Sequence, residues 1–216
     1  MNSGPQRGAG NPESASSEPT KDPCTNAIQS CKMDEARAVM HWPLVTLDFE
    51  ASSLTDRSYP IEVGVARWSD PGRRIMTWST LIRPTRQWIA SQDWAETAQE
   101  VHGIAEGELA AGMLPHLILR RLDDIVGTAL AFCDGGINDA FWMRRLCEAA
   151  GSSPDFALGD LDALMISLPS PMQRRAETWL STDRVEHRAG PDALRHMRMI
   201  AAAVYIDPGD ALAIHI

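Results

Sequence analysis

The sequence predicts an α/β domain: one mixed β-sheet with helices on its flanks. Three observations predict it. Between Leu44 and Ile82, three apolar segments are separated by short polar stretches, the pattern of strands joined in an antiparallel meander. After Pro84 the texture becomes helical. A short apolar run, Ala129 to Cys133, then stands alone between two helical stretches, as a further strand of a layered α/β domain does. With one more short strand before the last helix, the expected sheet has about five strands.

Taken in order, residues 1–40 are rich in Ser, Pro, Gly and Asn and poor in large apolar side chains, which predicts a disordered tail. A short helical turn is expected over Met33 to Val39, and the folded domain over residues 41–216. Leu44 to Phe49 is the first strand. Ile61 to Trp68 alternates apolar residues and is the second. The turn Ser69-Asp70-Pro71-Gly72 leads to a third over Ile75 to Ile82. Ser91 is a candidate cap for a helix through Val101, stopped by His102-Gly103. Helices are then expected over Ala105 to Gly112, Leu114 to Val126, Asp139 to Ala150 (capped by Asn138, closed by Gly151), Asp160 to Leu168 and Gln173 to Leu180. The last runs from Pro191 to about Ile206, and the remaining residues are expected to fray.

Length and composition suit one domain with a sizeable core. The chain has 216 residues, 44% hydrophobic and 23% charged. No apolar run approaches a membrane span, and the polar N-terminus lacks a signal-peptide core, so a cytoplasmic protein away from membranes is expected. The net charge of −9 argues against broad non-specific nucleic-acid binding, but not against an enzyme meeting a phosphate backbone through ions and a few arginines. Four cysteines, Cys24, Cys31, Cys133 and Cys147, form no CxxC and no zinc spacing; Cys133 and Cys147 read as buried reduced thiols.

The chemistry starts at Asp48 and Glu50. In a strand, residues two apart share a face, so both acids point the same way at the end of a core strand. Adjacent carboxylates repel unless a cation lies between them, and hard oxygen ligands suit magnesium or manganese. Further acids are then expected at the ends of neighbouring elements. Asp139 follows the apolar run and opens a helix; Asp192 lies in the first turn of the last helix, five residues after His187. An acid in a helix's first turn also favours the macrodipole, so each alone is ambiguous. The ordered set is the signal. Asp134 either adds charge near the site or closes its turn, and the turn is the favoured reading.

Leu47-Asp48-Phe49-Glu50, Ile137-Asn138-Asp139-Ala140-Phe141 and His187 to Asp192, with His102-Gly103-Ile104 ending a helix, resemble the motifs of the DEDDh 3′–5′ exonucleases over about residues 44 to 205. The resemblance implies a ribonuclease-H-like sheet. It implies two divalent ions, Mg2+ or Mn2+, held by Asp48, Glu50, Asp139 and Asp192, with Asp48 bridging. His187 becomes the general base, and the substrate a single strand of DNA or RNA with a free 3′ end, cut to 5′-mononucleotides. A homodimer is a further expectation from the resemblance alone. Two departures stand where substrate would pass: Ala51-Ser52-Ser53-Leu54 in place of Thr-Gly, and Asp134-Gly135 in place of His-Asn. Substrate contacts are expected from Ala51, Ser52, Ser53, Leu54, His102, Trp142 and Arg188, the last as a phosphate grip. The alternative is a catalytically silent module of the same fold that binds nucleic acid or a protein; retention of all four acids and the histidine argues against it.

Overall fold

The computed structural model describes residues 1, 34, 36–204 and 213–216. Most of the expected N-terminal tail, with Cys24 and Cys31, lies outside the described residues, as does part of the helical turn expected at Met33 to Val39. Residues 36–39 are helical, and Ala36 and Met40 are buried, so packed chain reaches back to Ala36.

Six strands form one mixed sheet in the order β5-β4-β1-β2-β3-β6. They are β1 (Leu44–Ala51), β2 (Pro60–Trp68), β3 (Ile75–Leu81), β4 (Leu130–Cys133), β5 (Ala157–Asp160) and β6 (Ala213–His215). The meander β1-β2-β3 is antiparallel; β4 joins β1, and β5 joins β4, in parallel. The sixth strand corrects the expected count of five. Residues 213–215, expected to fray, pair in parallel with Ile75–Thr77 on the open edge of β3. Nothing local in Ala213-Ile214-His215 announces this; an unpaired row of edge amides and carbonyls supplies the partner.

The helices are α1 (Arg86–Ser91), α2 (Glu96–His102), α3 (Pro115–Val126), α4 (Ile137–Ala150), α5 (Leu161–Ser167), α6 (Ser170–Leu180) and α7 (Ala189–Ala203), with a 3-10 turn over Glu106–Ala111. The helix expected from Ser91 to Val101 starts later, because Ser91 is instead the last residue of α1. The Thr85 side chain caps α1 by accepting from the Trp88 amide, Gln92 ends it in the left-handed region at φ 50°, and α2 starts only at Glu96. Asn138 is not the cap of α4, whose cap position is Gly136, and Pro191 lies two residues inside α7.

Alternation along β1 separates two cores. Val45, Leu47 and Phe49 pack with α1, α3 and α4; Leu44 packs with α5, α6 and α7. Thr46, Asp48 and Glu50 share the Leu44 side. Thr46 Oγ1 donates 2.6 Å to the Ala193 carbonyl and so fixes α7 onto β1 one residue past Asp192. Met197 and Ile200 of α7 are fully buried, each contributing roughly 1.5–3 kcal/mol.

Opposite Asp48, β2 carries Gly64. A Cβ there would stand 2.0 Å from the Ala189 carbonyl oxygen, so the start of α7 lies directly on bare backbone. Gly64→Ala is therefore expected to destabilise the protein by about 3 kcal/mol and lower its Tm by about 6–12 °C. A thermal melt within 2 °C or so of wild type would contradict that packing.

Candidate metal centre and substrate cleft

The acids converge where β1 and β4 end. Asp48 and Glu50 stand on the last turn of the pleat of β1. Asp134 follows β4 directly, and Asp139 enters from the first turn of α4. Asp192 enters from the first turn of α7. Residues beyond the carboxyl ends of strands are the usual site-builders of open α/β sheets.

Two ligand groups result, and Asp48 belongs to both. The ligand atoms of Asp48, Glu50 and Asp192 lie within 4.8 Å of one another, as do those of Asp48, Asp134 and His196. Asp139 is buried, and its Oδ2 accepts from the Gly135 amide at 2.9 Å. That bond needs a glycine: a Cβ on Gly135 would stand 2.6 Å from the same oxygen.

Crowding makes negative charge costly here. Burial, then Asp139 and Glu50, hold the Asp48 carboxyl well above the usual carboxylate range. Burial, then Asp192 and Glu62, push Glu50 up to about 8. Burial and Asp134 push Asp139 up to about 7. Asp134 goes the other way, because the His196 side chain hydrogen-bonds it. Among the described residues no ion pair reaches Asp48, Glu50, Asp139 or Asp192. Hard, unbalanced oxygen donors, half-buried at Asp48 and Glu50 and buried at Asp139 and Asp192, are a donor set that divalent cations fit.

His187 is exposed and left-handed, with φ 53°. Asp192 straddles it: one oxygen accepts from the Glu186 amide at 3.4 Å and the other from the Arg188 amide at 3.3 Å. The loop that presents His187 is thus tied to the carboxylate of the cluster.

A cleft of about 380 Å³ opens beside Glu50. It brings together Ala51, Ser53, Leu54, His102 and Trp142 of the expected contacts. Leu54 is 83% exposed at its rim. His102 is buried; its Nδ1 accepts from the Ile104 amide at 3.0 Å, and its Nε2 has no partner. Trp142 is buried, with its indole N–H donated to Ser58 Oγ at 3.0 Å. Ser52 turns inward, its hydroxyl accepting from the Tyr59 amide at 3.1 Å. Arg188, expected at a phosphate, forms a two-pronged pair with Glu62 at 2.9 and 2.6 Å.

Glu62 and His196 are the residues that the sequence reading missed, and Asp134 is one whose turn-closing reading the geometry corrects. Glu62 is buried on β2 opposite Glu50 and also accepts from the Ala189 amide at 3.0 Å. Its signal was an acid on the face of a valine-rich strand that also carries Gly64. Asp134, read as closing a turn, has its Oδ2 3.0 Å from His196 Nε2. The signal for His196 was helical spacing: four residues past Asp192, it shares that face.

No protein-family model matches the chain, and no curated protein matches its sequence. Solved structures do. The zinc-bound form of the E. coli ExoI–ssDNA complex aligns with a TM-score of 0.52 at 14% identity, covering 76% of this chain and 39% of that one. Cell-death related nuclease 4, CRN-4, aligns with a TM-score of 0.48 at 13% identity over 73% of this chain and 62% of that one. The chain shares the ExoI fold. It spans well under half of the ExoI chain, and under two thirds of CRN-4.

Among the described residues no helix is long and apolar enough to cross a membrane.

Proposed function

We propose that residues 41–216 form a metal-dependent 3′–5′ exonuclease that hydrolyses the terminal phosphodiester bond of single-stranded DNA or RNA. The observation that carries this reading is that Asp48 belongs to two ligand groups at once, the arrangement a bridging carboxylate needs. The fold shared with ExoI, whose structure is a complex with ssDNA, supports it. Two divalent ions, Mg2+ or Mn2+, bound between these acids would supply the positive charge that phosphoryl hydrolysis demands. Asp48, Glu50, Asp139 and Asp192 would hold them, Asp48 being the acid common to both ligand groups.

The chain's own residues do the rest. His187 takes the proton from the attacking water; an exposed imidazole on a loop held by Asp192 is placed to pass it to solvent. The cleft beside Glu50 takes the terminal nucleoside. Exposed Leu54 packs against the last base, and His102 and Trp142 form the cleft wall behind it. Arg188 anchors the His187 loop to Glu62 rather than gripping phosphate.

The test is digestion of matched DNA and RNA oligonucleotides, labelled at the 5′ end, in Mn2+ and in Mn2+ with EDTA. One-nucleotide shortening from the 3′ end, blocked by EDTA, is the expected result. His187→Ala should slow it by about 10²–10⁴-fold, the worth of a general base. No shortening of either polymer would overturn the activity; an unchanged rate in the variant would remove His187 from the chemistry.

A further inference from the structure

His196 has no place in the ligand set of four acids and His187. It is 4% exposed on the packed face of α7, among Ala193, Met197 and Ile200. An imidazole buried there costs free energy unless its nitrogens are used. Nδ1 is buried without a partner, so the ring's one polar contact is Nε2 at 3.0 Å from Asp134 Oδ2. That nitrogen faces the cluster, with its neighbour Asp48 in the same group of ligand atoms within 4.8 Å.

The geometry has a second meaning besides a hydrogen bond. Ligands bonded at about 2.1 Å and at right angles around an ion stand about 3.0 Å apart. The spacing of Nε2 and Oδ2 is that of two adjacent ligands. Helical periodicity makes the arrangement paired: Asp192 and His196, four apart on α7, serve the two groups from one helix face, with Asp48 shared between them.

We propose that Asp48, Asp134 and His196 form a mixed oxygen–nitrogen site that holds one of the two ions, and that it takes manganese, cobalt or zinc in preference to magnesium. First-row transition ions accept an imidazole nitrogen more readily than magnesium, which prefers an all-oxygen shell, with manganese the least and zinc among the most favoured. The two positions then differ: an all-carboxylate one at Asp48, Glu50 and Asp192, and a nitrogen-containing one on the other side of Asp48. The inference rests on the nuclease reading only in that Asp48 bridges two ions.

The test uses Co2+ alone as the probe, added to the EDTA-stripped full chain, with stoichiometry from equilibrium dialysis and the visible ligand-field absorption as the spectroscopic signature. Wild type is expected to bind two ions. His196→Leu and Asp134→Asn should each weaken the second by at least about tenfold and alter the spectrum, while the first stays. Asp134, half exposed at 46%, tolerates substitution without a core defect, so it keeps the test decisive if His196→Leu fails to fold. Two ions bound with an unchanged spectrum in Asp134→Asn, or a single ion in wild type, would overturn the site. The two readings separate: a histidine-dependent second ion with no oligonucleotide hydrolysis supports this site and sinks the nuclease, and hydrolysis with an unaffected second ion does the reverse.

Discussion

Asp48→Asn is expected to cut metal-dependent hydrolysis by at least about 10³-fold, roughly 4 kcal/mol of transition-state stabilisation, without loss of fold. Asp48 is the one acid common to both ligand groups, so its loss disturbs both ion positions at once. Asparagine keeps the shape of the side chain and removes its charge. That charge costs stability in the metal-free protein, because burial and the surrounding Asp139, Glu50, Asp134 and Asp192 all disfavour it. In EDTA at pH 8 the variant should therefore melt at or above the wild-type temperature. Oligonucleotide digestion and a melting curve on the same preparation check both halves. Activity within tenfold of wild type would remove Asp48 from the centre. A Tm lowered by more than about 5 °C would show that the carboxylate holds the fold instead.

The metal-free protein is expected to lose stability as pH rises from 5 to 8. Glu50 and Asp139 have folded-state values raised to about 8 and about 7 from ordinary ones of 4.5 and 3.8. A raised acid keeps its proton in the folded state after the unfolded chain has released it. Stability is therefore fully present below the ordinary values and is lost as pH climbs towards the raised ones. Between pH 5 and 8 the two shifts amount to roughly 6 kcal/mol, and solvent screening, which reaches the cluster at half-buried Glu50, cuts that to on the order of 3 kcal/mol, or about 6–12 °C in Tm for a chain of this size. Saturating Mn2+ should reverse it, since an ion that binds only the folded state adds about 2.7 kcal/mol at a hundredfold excess over its Kd. Thermal melts across this range, with EDTA and with Mn2+, make the comparison. A Tm that is flat or rising with pH in EDTA would mean that these carboxylates are not crowded.

How much of this was legible in advance differs residue by residue. Asp48 and Glu50 on one face followed from the period of a strand, and β1 carries both. Asp139 and Asp192 in helical first turns followed from local composition, although both turns start earlier than their apparent caps suggested. Local signals misled where two conformations compete cheaply. The Ser91 region reads as one helix, but Thr85 offers an earlier cap and Gln92 leaves the helical region, so one helix ends at Ser91 and the next starts only at Glu96. Arg188 reads as a free basic side chain near a phosphate site; 126 residues earlier lies the buried Glu62 that takes it.

By itself, the sequence determined the α/β class, the meander, and the acids that stand at the ends of strands and starts of helices. These depend on periodicity and on backbone groups a few residues apart, which the local chain carries in full. Only the tertiary structure decided that residues 213–215 complete the sheet, that Glu62 takes Arg188, and that His196 meets Asp134 beside Asp48. Each of those joins groups far apart in the chain. Such pairs form because α7 lies flat against bare Gly64 and the strand edges must find partners; local spacing marks the face a residue stands on, not the distant group it meets there.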